Sequence, residues 1–196
     1  MVCKIRRLTA RVALVGAVAC LGLIGCGADD QAVGGPNNPP PRVEAMSTGQ
    51  ITAVLDSFDQ AETKQAEAVL ERLEDDVVRA YAQKILTEHE VAAMELDALT
   101  RKLGTKSESS PMKTEVEKLA EKVQRTITQE SVAQLPATFL DGQIQMHKKA
   151  LTVTDKMMDA TQATELRSYI DNYRVTLKQH LDQAQELRKR FPETER

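Results

Sequence analysis

No cysteine lies beyond position 26 in this 196-residue chain; Cys3, Cys20 and Cys26 are the full set. A domain built from the residues that follow has no thiol pair to close, so packing must hold it together. Several chemical signatures are missing too. There is no GxxxxGK phosphate loop, no GxGxxG dinucleotide turn, no HExxH and no GxSxG nucleophile elbow. No enzyme class is supported. Acids are absent from the first 28 residues, where Lys4, Arg6, Arg7 and Arg11 take four of the chain's 26 basic residues and none of its 29 acidic ones. The remainder carries 22 basic against 29 acidic residues, a net charge of −7. Nucleic acid is not an expected partner. No basic amphipathic stripe is present to grip a membrane surface.

What the N-terminus does contain is a charged start followed by an apolar, small-residue run from Val12 to Ile24. That layout is a secretory signal, and the run is too short for a spanning helix of about 20 apolar residues. Leu23-Ile24-Gly25-Cys26 resembles the bacterial lipobox, in which the signal is cut before a cysteine that then carries acyl chains. Residues 1–25 are therefore expected to be removed, with a covalent lipid on Cys26 as the membrane contact. Gly27 rather than Asp after the lipidated cysteine points, by resemblance to enterobacterial sorting, to the outer membrane facing the periplasm.

The stretch GADDQAVGGPNNPPPRVEAMS at 27–47 is rich in glycine, proline and asparagine and reads as a flexible tether. Beyond Thr48 the composition shifts to Ala, Leu, Glu, Gln and Lys, glycine and proline become rare, and no strand pattern appears. Helices are expected at about 49–73 and 76–103, the second ended by Gly104. Ser110-Pro111 reads as an N-cap with proline at the first helical position, opening a helix to about Gln129. Leu135-Pro136 breaks the chain before a helix at about 137–159. Asp159 and Gln162 read as a capping box for a last helix at about 162–191. The expected domain spans 48–191, with 192–196 as a tail. Its fold class is all-α, an antiparallel four-helix bundle with one additional shorter helix.

Alternating steps of four and three along these helices align their apolar faces. The second gives Val78, Ala82, Ile85, His89, Ala92, Leu96, Leu99 and Leu103; the fourth gives Leu140, Ile144, His147, Leu151, Thr154 and Met158; the fifth gives Leu166, Ile170, Tyr173, Leu177, His180, Ala184, Leu187 and Phe191. All three histidines of the chain thus fall on core faces. The first helix gives Ile51, Leu55, Phe58, Glu62, Gln65 and Val69, adding one carboxylate. Counted from the shared turns, Glu62 and His89 come out level, whereas His147 and His180 differ by about five residues, or about 7.5 Å at 1.5 Å per residue.

Ionisable groups in a helical core need a partner or a metal. Three neutral imidazoles, His89, His147 and His180, with Glu62 as a further ligand, suit a transition metal ion such as zinc, iron or copper. Two other readings stand beside this one. The histidines could hydrogen-bond to Tyr173, Thr154, Gln143 or Gln65 in a packed polar core. They could also sit at the bundle edge, with Glu88, Glu90 or Asp141 solvating the neighbouring face. Met94, Met112, Met146, Met157 and Met158 read as core filler before a thioether set for copper. Imidazoles buried without an acidic partner would have lowered pKa values.

The runs GQITAVLDSFDQAETKQAEAVLERLEDDVVRAYAQKILTEHEVAAMELDALTRKLG, FLDGQIQMHKKAL and RVTLKQHLDQAQEL resemble a bacterial family, domain of unknown function 4142. The marks are Glu88-His89, Asp141 through Gln143 to His147, and His180-Leu181. The resemblance implies an exported ferritin-like helical bundle and no particular activity. A ferritin di-iron centre requires Glu-x-x-His on two helices. Here Leu86, Ile144 and Leu177 stand three residues before the histidines. The expected role is thus envelope binding or stress protection without catalysis, with a metal-binding or redox bundle and a protein-interaction module for an envelope partner as the alternatives.

Overall fold

The computed structural model describes residues 46–192; the expected signal at 1–25, Cys26, all but the end of the expected tether, and residues 193–196 lie outside them. Five helices make up the described chain: α1 (Thr48–Leu70), α2 (Asp76–Lys102), α3 (Pro111–Gln129), α4 (Leu135–Ala160) and α5 (Thr164–Arg188). No strand occurs among the described residues, and the fold is all-α. None of the helices is long and apolar enough to cross a membrane.

Local chemistry sets the helix ends. Ser47 Oγ accepts from Gln50 N while Gln50 Oε1 accepts from Ser47 N, both at 3.0 Å, a capping box that starts α1. Asp75 accepts from the amides of Val77 and Val78 to start α2. Gly104, at φ 61°, ends it: Gly104 N bonds Arg101 O at 3.1 Å and Thr105 N bonds Thr100 O at 3.2 Å, the paired bonds of a Schellman motif. Ser110 and Pro111 start α3 as expected, with Ser110 Oγ accepting from Lys113 N.

Four boundaries differ from the sequence expectation by two or three residues, among them the end of the last helix, at Arg188 rather than about 191. The first helix stops at Leu70 rather than about 73, where Val69 O accepts from both Arg72 and Leu73. The fourth starts at Leu135 instead of after Pro136, because a proline in the first turn forfeits no helical hydrogen bond. Asp159 lies inside α4, so no capping box forms with Gln162, and α5 starts at Thr164 behind Ala163 with no side-chain cap. Arg167 holds that corner from the far side, donating to Thr161 O at 3.1 Å and to Met158 O.

Short turns make α1 and α2, and α4 and α5, antiparallel neighbours. The remaining sides are fixed by contacts between helix ends. Arg190, just past α5, bonds Asp75 before α2, and Lys102 at the end of α2 reaches Glu165 at the start of α5. Arg72 after α1 donates to Ile127 O in the last turn of α3 and to Glu130 O in the short link from α3 to α4. Helices α1, α2, α5 and α4 therefore close a four-membered antiparallel ring. The shorter α3 lies outside that ring, against α1 and α4. It comes close to α4 at Gly142, where an added Cβ would stand 2.6 Å from Val123 Cγ1. The ring encloses one apolar core that includes Phe58, Tyr81, Ile85, Phe139, Met146 and Met157. At mid-height a polar cluster interrupts it: Asp59, Glu62, Gln65, His89, Gln143, His147 and His180, all buried.

Candidate metal centre

His89, His147 and His180 come together from α2, α4 and α5, with one ligand-capable nitrogen of each within 4.8 Å of the others. Their ring centroids are 5.2–5.7 Å apart. The offset counted along the sequence for His147 and His180 is closed by helix geometry. His147 is 13 residues before the end of α4 and His180 is 16 residues after the start of α5, leaving about 4.5 Å along the axis. Helical side chains lean toward their own N-terminus. His147 therefore leans away from the shared turn and His180 toward it, and His147 Nε2 meets His180 Nδ1 at 3.2 Å.

Each ring is held from behind by an acceptor. His89 Nδ1 bonds Asp59 Oδ1 at 2.8 Å, His147 Nδ1 bonds Gln143 O at 2.8 Å, and His180 Nε2 bonds Glu88 Oε2 at 2.7 Å. Carboxylates and carbonyls accept, so these contacts assign the N–H of each neutral ring to its outer nitrogen. The inner nitrogens, His89 Nε2, His147 Nε2 and His180 Nδ1, are left as lone pairs. His89 Nε2 has no partner at all, although the residue is buried. This is the arrangement of metal-ligating histidines, whose second nitrogen donates to a carboxylate or backbone carbonyl that fixes tautomer and orientation. Bonds of about 2.0–2.1 Å to a tetrahedral metal place ligand nitrogens about 3.3 Å apart, close to the His147–His180 spacing of 3.2 Å.

The structure separates Glu62 from the three converging nitrogens. Its Oε2 accepts from Gln143 Nε2 at 2.6 Å, and its Oε1 is 3.6 Å from the outer nitrogen of His147. Asp59, absent from the narrow alternating count, is the acid that meets His89, and Tyr173 OH donates to the same Oδ1 at 2.7 Å. It lies four residues after Leu55, at the flank of the apolar stripe. A stripe read three positions wide per heptad would have included it. Glu88, one of the acids that the edge reading assigns to the solvated face, instead binds His180. Asp141 bonds Arg188 Nε at 2.7 Å. Of the hydrogen-bonding partners weighed for the histidines, Gln143 supplies its backbone carbonyl, whereas Tyr173 reaches the acid behind His89.

Burial sets the electrostatics. It pushes Glu62 up to about 7 against the pull of His89 and the Gln143 hydrogen bond, and it raises Asp59. Burial and the two neighbouring imidazoles hold His147 well below the usual histidine range, and burial with the His89 charge lowers His180 to about 4. His89 has an acidic partner in Asp59, so the lowering expected of an unpartnered buried imidazole does not apply to it. Desolvation is its largest influence, yet the Asp59 hydrogen bond with the Glu62, Asp59 and Glu88 charges together raise it. The site is thus acid-rich around His89 and holds His147 and His180 neutral, in the form that binds metal.

The fold has a known counterpart. A crystal structure of a DUF305 fragment from Deinococcus radiodurans superimposes with a TM-score of 0.63 at 20% identity, covering 74% of this chain and 98% of the fragment. At that identity the likeness is one of fold alone. No curated protein matches the chain. Family comparison is decisive where those are not: the profile described as Domain of unknown function (DUF4142) matches residues 35–187, and the chain belongs to that family.

Proposed function

We propose that this protein is a lipid-anchored envelope protein whose helical bundle holds one first-row transition metal ion on His89, His147 and His180. The observation that carries the metal reading is the set of three inward lone pairs, each backed by an outer acceptor. Imidazole nitrogens suit zinc, copper, iron and nickel, and three of them leave a position for water or a further ligand. Asp59, Gln143 and Glu88 orient the rings and raise their basicity; Glu62 braces Gln143 without joining the ligands. Taking up and holding a metal, as a buffer that protects the envelope, uses every part of this site and requires no catalytic group.

The anchoring part of the proposal rests on the sequence. Residues 1–25 serve as signal, Cys26 carries the lipid, residues 27–47 form the tether, and the bundle faces the periplasm from the outer membrane. Labelling with a palmitate analogue that is lost in Cys26→Ala tests it.

Elemental analysis tests the metal. Residues 40–196, one compact unit, purified untagged and without chelator, should carry close to one equivalent of metal. A folded His89→Ala/His147→Ala/His180→Ala variant should carry none. Added metal should also raise the melting temperature, by an amount equivalent to about 2.7 kcal/mol at a hundredfold excess over Kd. Wild-type protein that stays metal-free after reconstitution with zinc, copper and iron would overturn the reading.

A further inference from the structure

We infer that a hydrated cation reaches the three histidines through the groove between α2 and α5, with Glu88 as the side chain that admits it. This inference rests on the metal reading above and adds the route. The groove holds about 320 Å³ and is lined by Glu88, Glu95, Tyr169, Asn172, Tyr173 and Thr176, among others. A cation with six waters, at about 30 Å³ each, takes about 180 Å³.

Three observations place the route here. Glu88 is the one acid on the site that also meets solvent: its side chain is 40% exposed while Oε2 holds the fully buried His180. Asp59 and Glu62 are sealed inside. The wall between groove and histidines is one side chain thick. It consists of Glu88 on His180 and Tyr173, which packs edge-on against His89 with ring centroids 6.1 Å apart. Finally, Glu95 lies two helical turns from Glu88, about 10.5 Å along the axis, so a cation passes from one carboxylate to the next. The larger groove between α1 and α3 has no such link. It reaches Gln65, behind which Gln143 and Glu62 still separate it from His147.

Glu88 Oε1 is also 4.0 Å from Lys84, so the carboxylate has an alternative partner outside the site. Swinging toward Lys84 exposes His180 Nε2 to the groove and swinging back restores the acceptor behind the ring. A carboxylate that leads a cation inward and then orients a ligand serves both steps without a second group.

Stopped-flow uptake of cobalt(II) by the full-length chain, and its release into excess chelator, tests the route, with the signal of the triple His→Ala variant subtracted. Thr176→Trp fills the groove without touching a ligand and should slow uptake and release by the same factor, about tenfold or more, leaving Kd unchanged. Gln60→Trp in the α1/α3 groove should exchange at wild-type rates. Glu95→Gln should lower the uptake rate several-fold at low ionic strength and flatten its salt dependence, with release unaltered. Thr176→Trp exchanging like wild type, or Gln60→Trp being the slow variant, overturns the route while leaving the metal site standing. If Thr176→Trp proves unfolded by circular dichroism, unchanged uptake in Glu95→Gln overturns it instead. A wild-type chain that takes up no cobalt overturns the metal reading and the route with it.

Discussion

Folding of the metal-free chain should move a proton from an imidazole to a carboxyl, and two substitutions make that visible. Glu62, facing His89, His147, Asp59 and Gln143, rises from an ordinary 4.5 to about 7. His180, facing His147, His89, Glu88 and Lys84, falls from 6.5 to about 4. Each pH unit between folded and unfolded values is worth about 1.4 kcal/mol, so each group commands about 3 kcal/mol. The signs oppose. The Glu62 contribution is fully present below pH 4.5 and is lost as pH rises to about 7, because the folded carboxyl keeps a proton that the unfolded one releases. The His180 contribution is present above pH 6.5 and is lost as pH falls to about 4, because the unfolded imidazole takes a proton that the folded one refuses. Between pH 4.5 and 6.5 the two slopes cancel. Glu62→Gln keeps an amide oxygen for Gln143 and leaves His180 uncompensated; relative to wild type it should lose about 3 kcal/mol as pH falls from 7 to 4.5, roughly 6–12 °C in melting temperature for a domain of this size. His180→Gln should show the mirror image, losing stability relative to wild type as pH rises from 4 to 6.5. Chelator-treated protein, melted by circular dichroism across that range, gives both difference profiles, in which titration of the surface acids subtracts out. Flat profiles, or two of the same sign, would refute the reasoning.

Helix number, order and approximate ends were legible because five amphipathic segments are punctuated by Gly104, Ser110-Pro111 and Pro136. The convergence of the histidines was half legible. Heptad steps put all three on core faces, but counting Cα heights overstates the separation of His147 and His180, since it omits the lean of side chains along antiparallel helices. His89 meets Asp59 rather than Glu62 because α1 ends at Leu70: counted from the helix ends, His89 is 13 residues from the turn, Asp59 11 and Glu62 only 8, and the same lean of side chains closes the small gap to Asp59 but not the larger one to Glu62. Glu88 escaped because a half-exposed acid beside a buried histidine in sequence points away from that histidine on the helix, and its actual partner comes from α5, 92 residues on. Pairings between helices depend on ring order and tilt, which no single helix's periodicity contains.

Three further results are expected. Asp59→Asn removes the charge behind His89 and should weaken cobalt binding about 10–100-fold, the usual cost of losing a ligand's supporting group, read by competition with a chelator. Gly104→Ala should destabilise the bundle by about 1–2 kcal/mol in urea unfolding, because alanine at φ 61° strains the Schellman turn that ends α2. Gly142→Ala sets two effects against each other: alanine favours a helix interior over glycine by about 1 kcal/mol, but its Cβ would stand 2.6 Å from Val123 Cγ1 on α3, and overpacking of that kind costs about 1–3 kcal/mol. The valine methyl is stiff at χ1 and cannot swing clear, so the clash should win in the single variant and vanish in Gly142→Ala/Val123→Ala, giving a coupling energy of about 1–2 kcal/mol in a double-mutant cycle; additive effects would mean that α3 does not press on α4 at this point.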